Sequence, residues 1–411
     1  MHVRDPLVAV LSALGLVALL AVLSSTHIPA VAEPSQQGGE AKAKRIGGYE
    51  VALNWPKPLP DDDLSHDGWT WGSGAGVWAE SPDKVWVQQR GEIELPPDAA
   101  PWTFAGLLDP PRTNTGRWPY SGNDPGYKLR RHHIVFAVDR EGYTIEEWLQ
   151  HDNYLAPPMG SGLGSVSRGP HKLLINPYDP EKHIWIVDDD MHEINKFTND
   201  GKLVMTLGER GVPGRGPNNF NRPTDITWLP DGTFFLADGY AGTRVAKFDP
   251  DGNFIMDWGQ PPNRRDHPGP NEFWSVHSIG LSQDRRVFVA DREHKRMQVF
   301  DENGTFLDMW PTGHNSRVYA HYVTEDDYVW VADEYTQRLV KYDLNGRYIL
   351  DIGEPGWLPG QFDGVHQISV DQEGNMYVTE VHGDRSQKFR PLPDADPALL
   401  IAPMVGLRTH W

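Results

Sequence analysis

Three histidines share one position in a repeating frame. His277 lies fourteen residues before Asp291, and His366 fourteen before Glu380. His171 lies seventeen before Asp188, because the turn Asn176-Pro177-Tyr178-Asp179-Pro180-Glu181 carries three extra residues. Each acid ends a short apolar run, as in Val287-Phe288-Val289-Ala290-Asp291. Three neutral imidazoles that converge and leave a fourth position open make a catalytic-type zinc site. A single histidine at a strand start reads as a backbone cap; three at one register favour a metal. At or just beyond the second-strand ends of the same frame stand Arg90, Arg292 and Tyr240. A guanidinium near a metal offers a bidentate fork to a carboxylate-bearing substrate. A phenol there can act as a base. For these three the ordinary readings, an arginine paired with a strand acid and a tyrosine packed at a rim, stay open beside the functional ones.

The elements that must position these groups form an internal repeat. Aligned on the closing acid, the copies carry Asp188, Asp238, Asp291, Asp333 and Glu380, spaced 50, 53, 42 and 47 residues apart. An aromatic follows each: Phe197, Phe248, Phe300, Tyr342 and Phe389. Hairpin turns such as Asn199-Asp200-Gly201, Asp249-Pro250-Asp251-Gly252 and Leu344-Asn345-Gly346 come next. A divergent first copy is split between Gly76–Arg90 and Ile134–Asp139 by an insertion at 92–131. Six units of about four short strands predict an all-β fold, a six-bladed β-propeller. The histidines fall in units two, four and six, so they point at the axis about 120° apart. Thr224 and Tyr319 take the same position in units three and five. His321 is two residues off the register and is expected as a channel neighbour, not a ligand. The last unit, 362–390, stops after three strands; Tyr49–Leu53 or the tail 391–411 must supply the fourth.

The chain has 411 residues, and Lys+Arg 38 against Asp+Glu 57 gives net charge -19. That balance argues against a nucleic acid, whose phosphates it would repel. Gly 41, Pro 35 and Trp 16 suit a turn-dense β protein. Residues 1–32 read as a signal peptide, with an apolar run from Leu7 to Leu23 and Ala30-Val31-Ala32 as cleavage pattern. An uncleaved membrane anchor is the alternative. A flexible linker at 33–45, a propeller domain at 46–395 and a tail at 396–411 complete the organisation, for an exported (periplasmic or secreted) monomer. With Cys 0, such a protein relies on core burial and ring closure. The insertion leaves its blade just after Arg90, so Trp102, Phe104, Trp118, Tyr120 and Tyr127 are candidates for a lid or substrate wall. Lys128–His133 reads as a solvated strand entry, and Gly160-Ser161-Gly162-Leu163-Gly164 as a flexible loop.

These residues resemble a family. The repeats look like NHL repeats, and about 45–390 is similar to the lyase half of peptidylglycine α-amidating enzymes, peptidyl-α-hydroxyglycine α-amidating lyase. The resemblance rests on Gln89-Arg90-Gly91, Gly169-Pro170-His171, Pro223-Thr224-Asp225-Ile226, Phe235-Leu236-Ala237-Asp238-Gly239-Tyr240, Val276-His277-Ser278 with Ala290-Asp291-Arg292-Glu293, and Val365-His366. It implies a six-bladed propeller with axial zinc on His171, His277 and His366. It also implies Tyr240 as the catalytic tyrosine, and Arg90 and Arg292 as substrate contacts. The implied reaction splits the carbinolamide C–N bond of a C-terminal α-hydroxyglycine into an amide and glyoxylate. It further implies a structural calcium on the carbonyls of Val77 and Leu173, but the aspartate expected after the third histidine is Gln367. A methionine of the family pattern is Gly364, and its disulfides have no cysteines here. A non-catalytic NHL propeller that binds a peptide or protein is the alternative from another class.

Overall fold

The computed structural model describes residues 44–60, 64–94, 129–157, 169–313, 316–356 and 358–407. The chain divides into two units, Met1–Lys42 and Ala43–Trp411, and all described residues lie in the second. The leader, most of the linker, the five aromatics of the insertion and the glycine loop at 160–164 lie outside the described residues.

The described chain is almost wholly antiparallel β, a β-propeller with six sheets of four strands or more and one small extra sheet. The innermost strands are Gly74–Ser81, Lys172–Ile175, Asp225–Trp228, Val276–Leu281, Val318–Val323 and Val365–Val370. They neighbour one another in that order, and the last packs back on the first. Burial explains the sequence pattern. In the fourth sheet Val287–Asp291 is wholly buried, while its outer strand Phe306–Pro311 is mostly exposed. Strands enclosed on both faces read as continuous apolar runs, and outer strands do not. The turns follow local chemistry: Asp249 Oδ1 accepts the N–H groups of Asp251 and Asn253, and Gly252 takes φ +85.

Adjacent sheets are locked by a repeated tryptophan–glycine contact. Trp258, ending the third sheet, lies on Gly304 of the fourth; Trp310 of the fourth lies on Gly346 of the fifth. A Cβ at Gly346 would come 2.2 Å from Trp310, and its φ of +79 is itself disfavoured for other residues.

Tyr49–Val51 supplies the outer strand of the last sheet by pairing with Arg385–Pro391, and Arg45–Ile46 adds a fifth. The tail does something else. It crosses the turns on the face opposite the histidines, where Ile401 N–H donates to Tyr49 Oη and Met404 N–H to Tyr322 Oη. Among the described residues no helix is long and apolar enough to cross a membrane.

Candidate active site

In four of the repeats the closing acid is a clamp, whereas Asp188 accepts the N–H of Met191 after it. Asp238 accepts the N–H of Asn221 at 2.7 Å, Asp291 that of Trp274 at 3.0 Å, Asp333 that of Arg317 at 2.7 Å and Glu380 that of Asp363 at 2.8 Å. Each bond pins the chain two or three residues before the innermost strand's axial position. A buried arginine from the third strand completes three of the clamps: Arg244 on Asp238, Arg296 on Asp291 and Arg385 on Glu380. This is why counting back from the acid finds the axis.

At the axial position the strand breaks its own ladder. Val276 pairs with Asp291 and Ser278 with Ala290, so His277 is an extra, unpaired residue of a bulge. The same shift isolates Ala75, Tyr319 and His366. A bulge re-aims its side chain, here toward the axis.

The result is a fully buried trio whose ring centroids are 4.6 to 5.5 Å apart. The ligand atoms of His171, His277 and His366 lie within 4.8 Å of one another, so the three could hold a metal ion. Each ring is oriented by the same position of the next sheet. His171 Nδ1 meets the carbonyl of Thr224 at 2.8 Å, His277 Nδ1 that of Tyr319 at 2.7 Å and His366 Nδ1 that of Ala75 at 2.9 Å. A carbonyl only accepts, so Nδ1 carries the proton and Nε2 is the basic nitrogen turned to the axis. Burial above all holds each ring well below the usual histidine range. Neighbouring charge adds to this: Arg90 acts on His171 and His366, and Arg292 on His277. Three neutral imidazoles are a donor set for a borderline divalent ion.

Tyr240 stands over them. Its Oη is 3.1 Å from His171 Nε2 and 2.9 Å from His277 Nε2. Arg292 lies 4.9 Å from the centre of its ring and Arg222 4.5 Å. Glu293 holds the Arg292 guanidinium at 3.0 and 2.9 Å, and Asp189 holds Arg222 at 2.5 Å. Arg90 is buried, with its N–H on Ser73 O at 2.9 Å and its carbonyl bonded by Arg131. Arg90, Arg292 and the Tyr240 phenol thus gather at the trio, and Arg222 backs the phenol. Arg222 was not foreseen, because it sits on the loop before the third sheet, two residues ahead of the axial position.

No family model matches the chain. Among curated proteins it is 38% identical over 269 residues to the probable peptidyl-alpha-hydroxyglycine alpha-amidating lyase of Caenorhabditis elegans, covering 63% of this chain and 70% of that protein. The chain belongs to the peptidyl-α-hydroxyglycine α-amidating lyase family. The match to peptidyl-alpha-hydroxyglycine alpha-amidating lyase 1 of Drosophila melanogaster is 30% identical over 257 residues, 57% of this chain, and spans only 46% of the relative's length. NHL repeat-containing protein 3 of Mus musculus is 27% identical over 288 residues, 64% of this chain and 74% of that protein.

The family resemblance carried a calcium expectation, and the residues here do not fit it. The Leu173 carbonyl, one of the two expected donors, accepts the Gln367 amide at 2.8 Å. Nearby, the Lys172 ammonium sits in the same cavity on Asp225 at 2.6 Å, with Gln367 and His321 in its walls. A cation has lost its acid and gained a fixed positive neighbour. His321 is buried there, outside the axial trio, and burial pushes its pKa down to about 3.

Lys128–His133 departs from the expectation of its composition. The run ending in His132-His133 is not a solvated strand entry. His133 is fully buried, with Nδ1 2.8 Å from Glu92 and Nε2 2.9 Å from Glu147.

Proposed function

We propose that the chain is an exported zinc-dependent lyase that converts a C-terminal α-hydroxyglycine into an amide and glyoxylate. The observation that carries this reading is the axial trio, with three Nε2 atoms aimed inward by three carbonyls and Tyr240 bridging two of them. Membership of the lyase family supports it. His171, His277 and His366 would hold the zinc, which as a Lewis acid lowers the pKa of a substrate hydroxyl.

The chain's own groups account for the rest. Arg90, beside His171 and His366, offers its fork to the substrate carboxylate and fixes which end of the molecule faces the trio. Arg292, stacked on Tyr240 and held by Glu293, keeps positive charge against the phenol. Tyr240 carries the proton: it takes the one the hydroxyl gives up as the C–N bond breaks, and the amide nitrogen recovers one. No net proton is gained or lost. Burial of the trio excludes bulk water from the bond-breaking centre.

The test is to load purified protein with zinc and measure glyoxylate release from α-hydroxyhippurate. Release that requires zinc and disappears in His277→Ala supports the lyase. A zinc-bound protein that forms no glyoxylate would favour a propeller that only binds a peptide or protein partner, the reading that the likeness to NHL repeat-containing protein 3 keeps open.

A further inference from the structure

A second group of metal-type side chains lies at the root of the insertion, away from the axis. His66, Glu92, His132 and His133 each place one ligand atom within 4.8 Å of the others, and three of the four are buried. Glu92 belongs to a three-stranded sheet with Trp69–Trp71 and Leu129–Arg130, which carries the two ends of the insertion. Its Oε1 is 3.1 Å from His66 Nε2 and 2.8 Å from His133 Nδ1. The edge of a tetrahedron of zinc–nitrogen bonds is about 3.4 Å. The present contacts are hydrogen bonds somewhat shorter than that edge, so a bound ion would replace them with small shifts.

Two features set the cluster apart from an ordinary ion-pair network. His133 has φ +50, a left-handed conformation that a histidine seldom adopts. In an extended strand neighbouring side chains point to opposite faces; here His132 and His133 face the same way, with ring centroids 4.5 Å apart. Asp152 fixes that distortion by accepting the N–H groups of His133 and Ile134 at 3.1 and 2.9 Å. The second feature is an outer ring of partners. His133 meets Glu147 through Nε2 at 2.9 Å, and His132 meets Asp152 through Nδ1 at 3.1 Å. Arg130 Nε holds the other oxygen of Glu92 at 2.9 Å. His132 thus has Nδ1 on an outer carboxylate, and His133 has Nε2 on one outer carboxylate and Nδ1 on Glu92, itself one of the four. This is the carboxylate–histidine–metal arrangement of protein metal sites.

We infer that His66, Glu92, His132 and His133 form a second metal site, for zinc or a similar borderline divalent ion. Four protein ligands close the coordination shell, so the site is structural rather than catalytic. It fastens the segment around His66, the strand after Arg90 and the chain returning from the insertion at one point. The inference does not depend on the lyase reading.

His277→Ala protein, which removes a ligand of the axial trio, isolates the question. Stripped with a chelator, reloaded with zinc and gel-filtered, it should retain about one equivalent by elemental analysis. X-ray absorption should show nitrogen and oxygen scatterers only. Zinc should raise its melting temperature, and that rise should vanish when His66→Ala or Glu92→Gln is added. A folded His277→Ala protein that retains no zinc, or whose zinc-induced rise survives both added substitutions, would overturn the second site. The glyoxylate assay of the unsubstituted protein separates this failure from failure of the lyase reading.

Discussion

At the scale of single residues, the axial trio divides its work between ring nitrogens. Nδ1 is spent on a carbonyl of the neighbouring sheet, and Nε2 is left for the axis. Tyr240→Phe keeps the ring between its two arginines but removes the hydroxyl proposed to carry the proton. It should lower kcat by about 10²–10⁴-fold while metal content stays unchanged, as steady-state kinetics beside elemental analysis would show. Arg90→Lys keeps the charge and loses the planar fork. It should raise KM for a carboxylate substrate by about tenfold or more and leave KM for an esterified analogue nearly unmoved. That His277 and His366 reach the axis was legible, because the acid clamp gives each a fixed offset in sequence; His171 was found by the repeat alone, since Asp188 makes no such clamp. Arg222 was hidden, since it reaches Tyr240 from a loop. His133 was misread because a chain of His and Arg residues looks solvated, and nothing local reveals that Glu92, forty-one residues away, has buried it.

At the scale of elements, the repeat was readable from its acids, its aromatics and its Asp-Gly and Asn-Gly turns. The bulges were not. Whether His277 pairs or stands out of the ladder depends on a register that alternating apolar residues leave open. Nor could the sequence separate the two donors for the last sheet; pairing of Glu50 with Arg390 and Val51 with Phe389 decides for the N-terminal strand. Two substitutions test these elements. Tyr49 is fully buried and its hydroxyl receives the tail at Ile401, so Tyr49→Ala should cost about 3–5 kcal/mol in urea unfolding. Gly346→Ala meets both a positive φ and the Trp310 ring, so it should destabilise by more than about 1 kcal/mol in the same measurement.

At the scale of the whole molecule, the ring of sheets brings residues nearly two hundred positions apart onto one axis, as His171 and His366 are. Below them the channel holds the Lys172–Asp225 pair and the Gln367–Leu173 bond where the family resemblance implied calcium. Melting temperatures in excess calcium and in a calcium chelator should therefore coincide; a clear rise with calcium would show that the lower channel binds it. The central claim concerns the upper end of the same axis. Anomalous diffraction at the zinc edge, from crystals of zinc-loaded protein, tests it most directly. A peak about 2.0–2.1 Å from Nε2 of His171, His277 and His366, with the Tyr240 hydroxyl moved from between the rings, is the predicted result. Zinc-loaded crystals with no peak at the trio, and Tyr240 still bridging His171 and His277, would contradict the account.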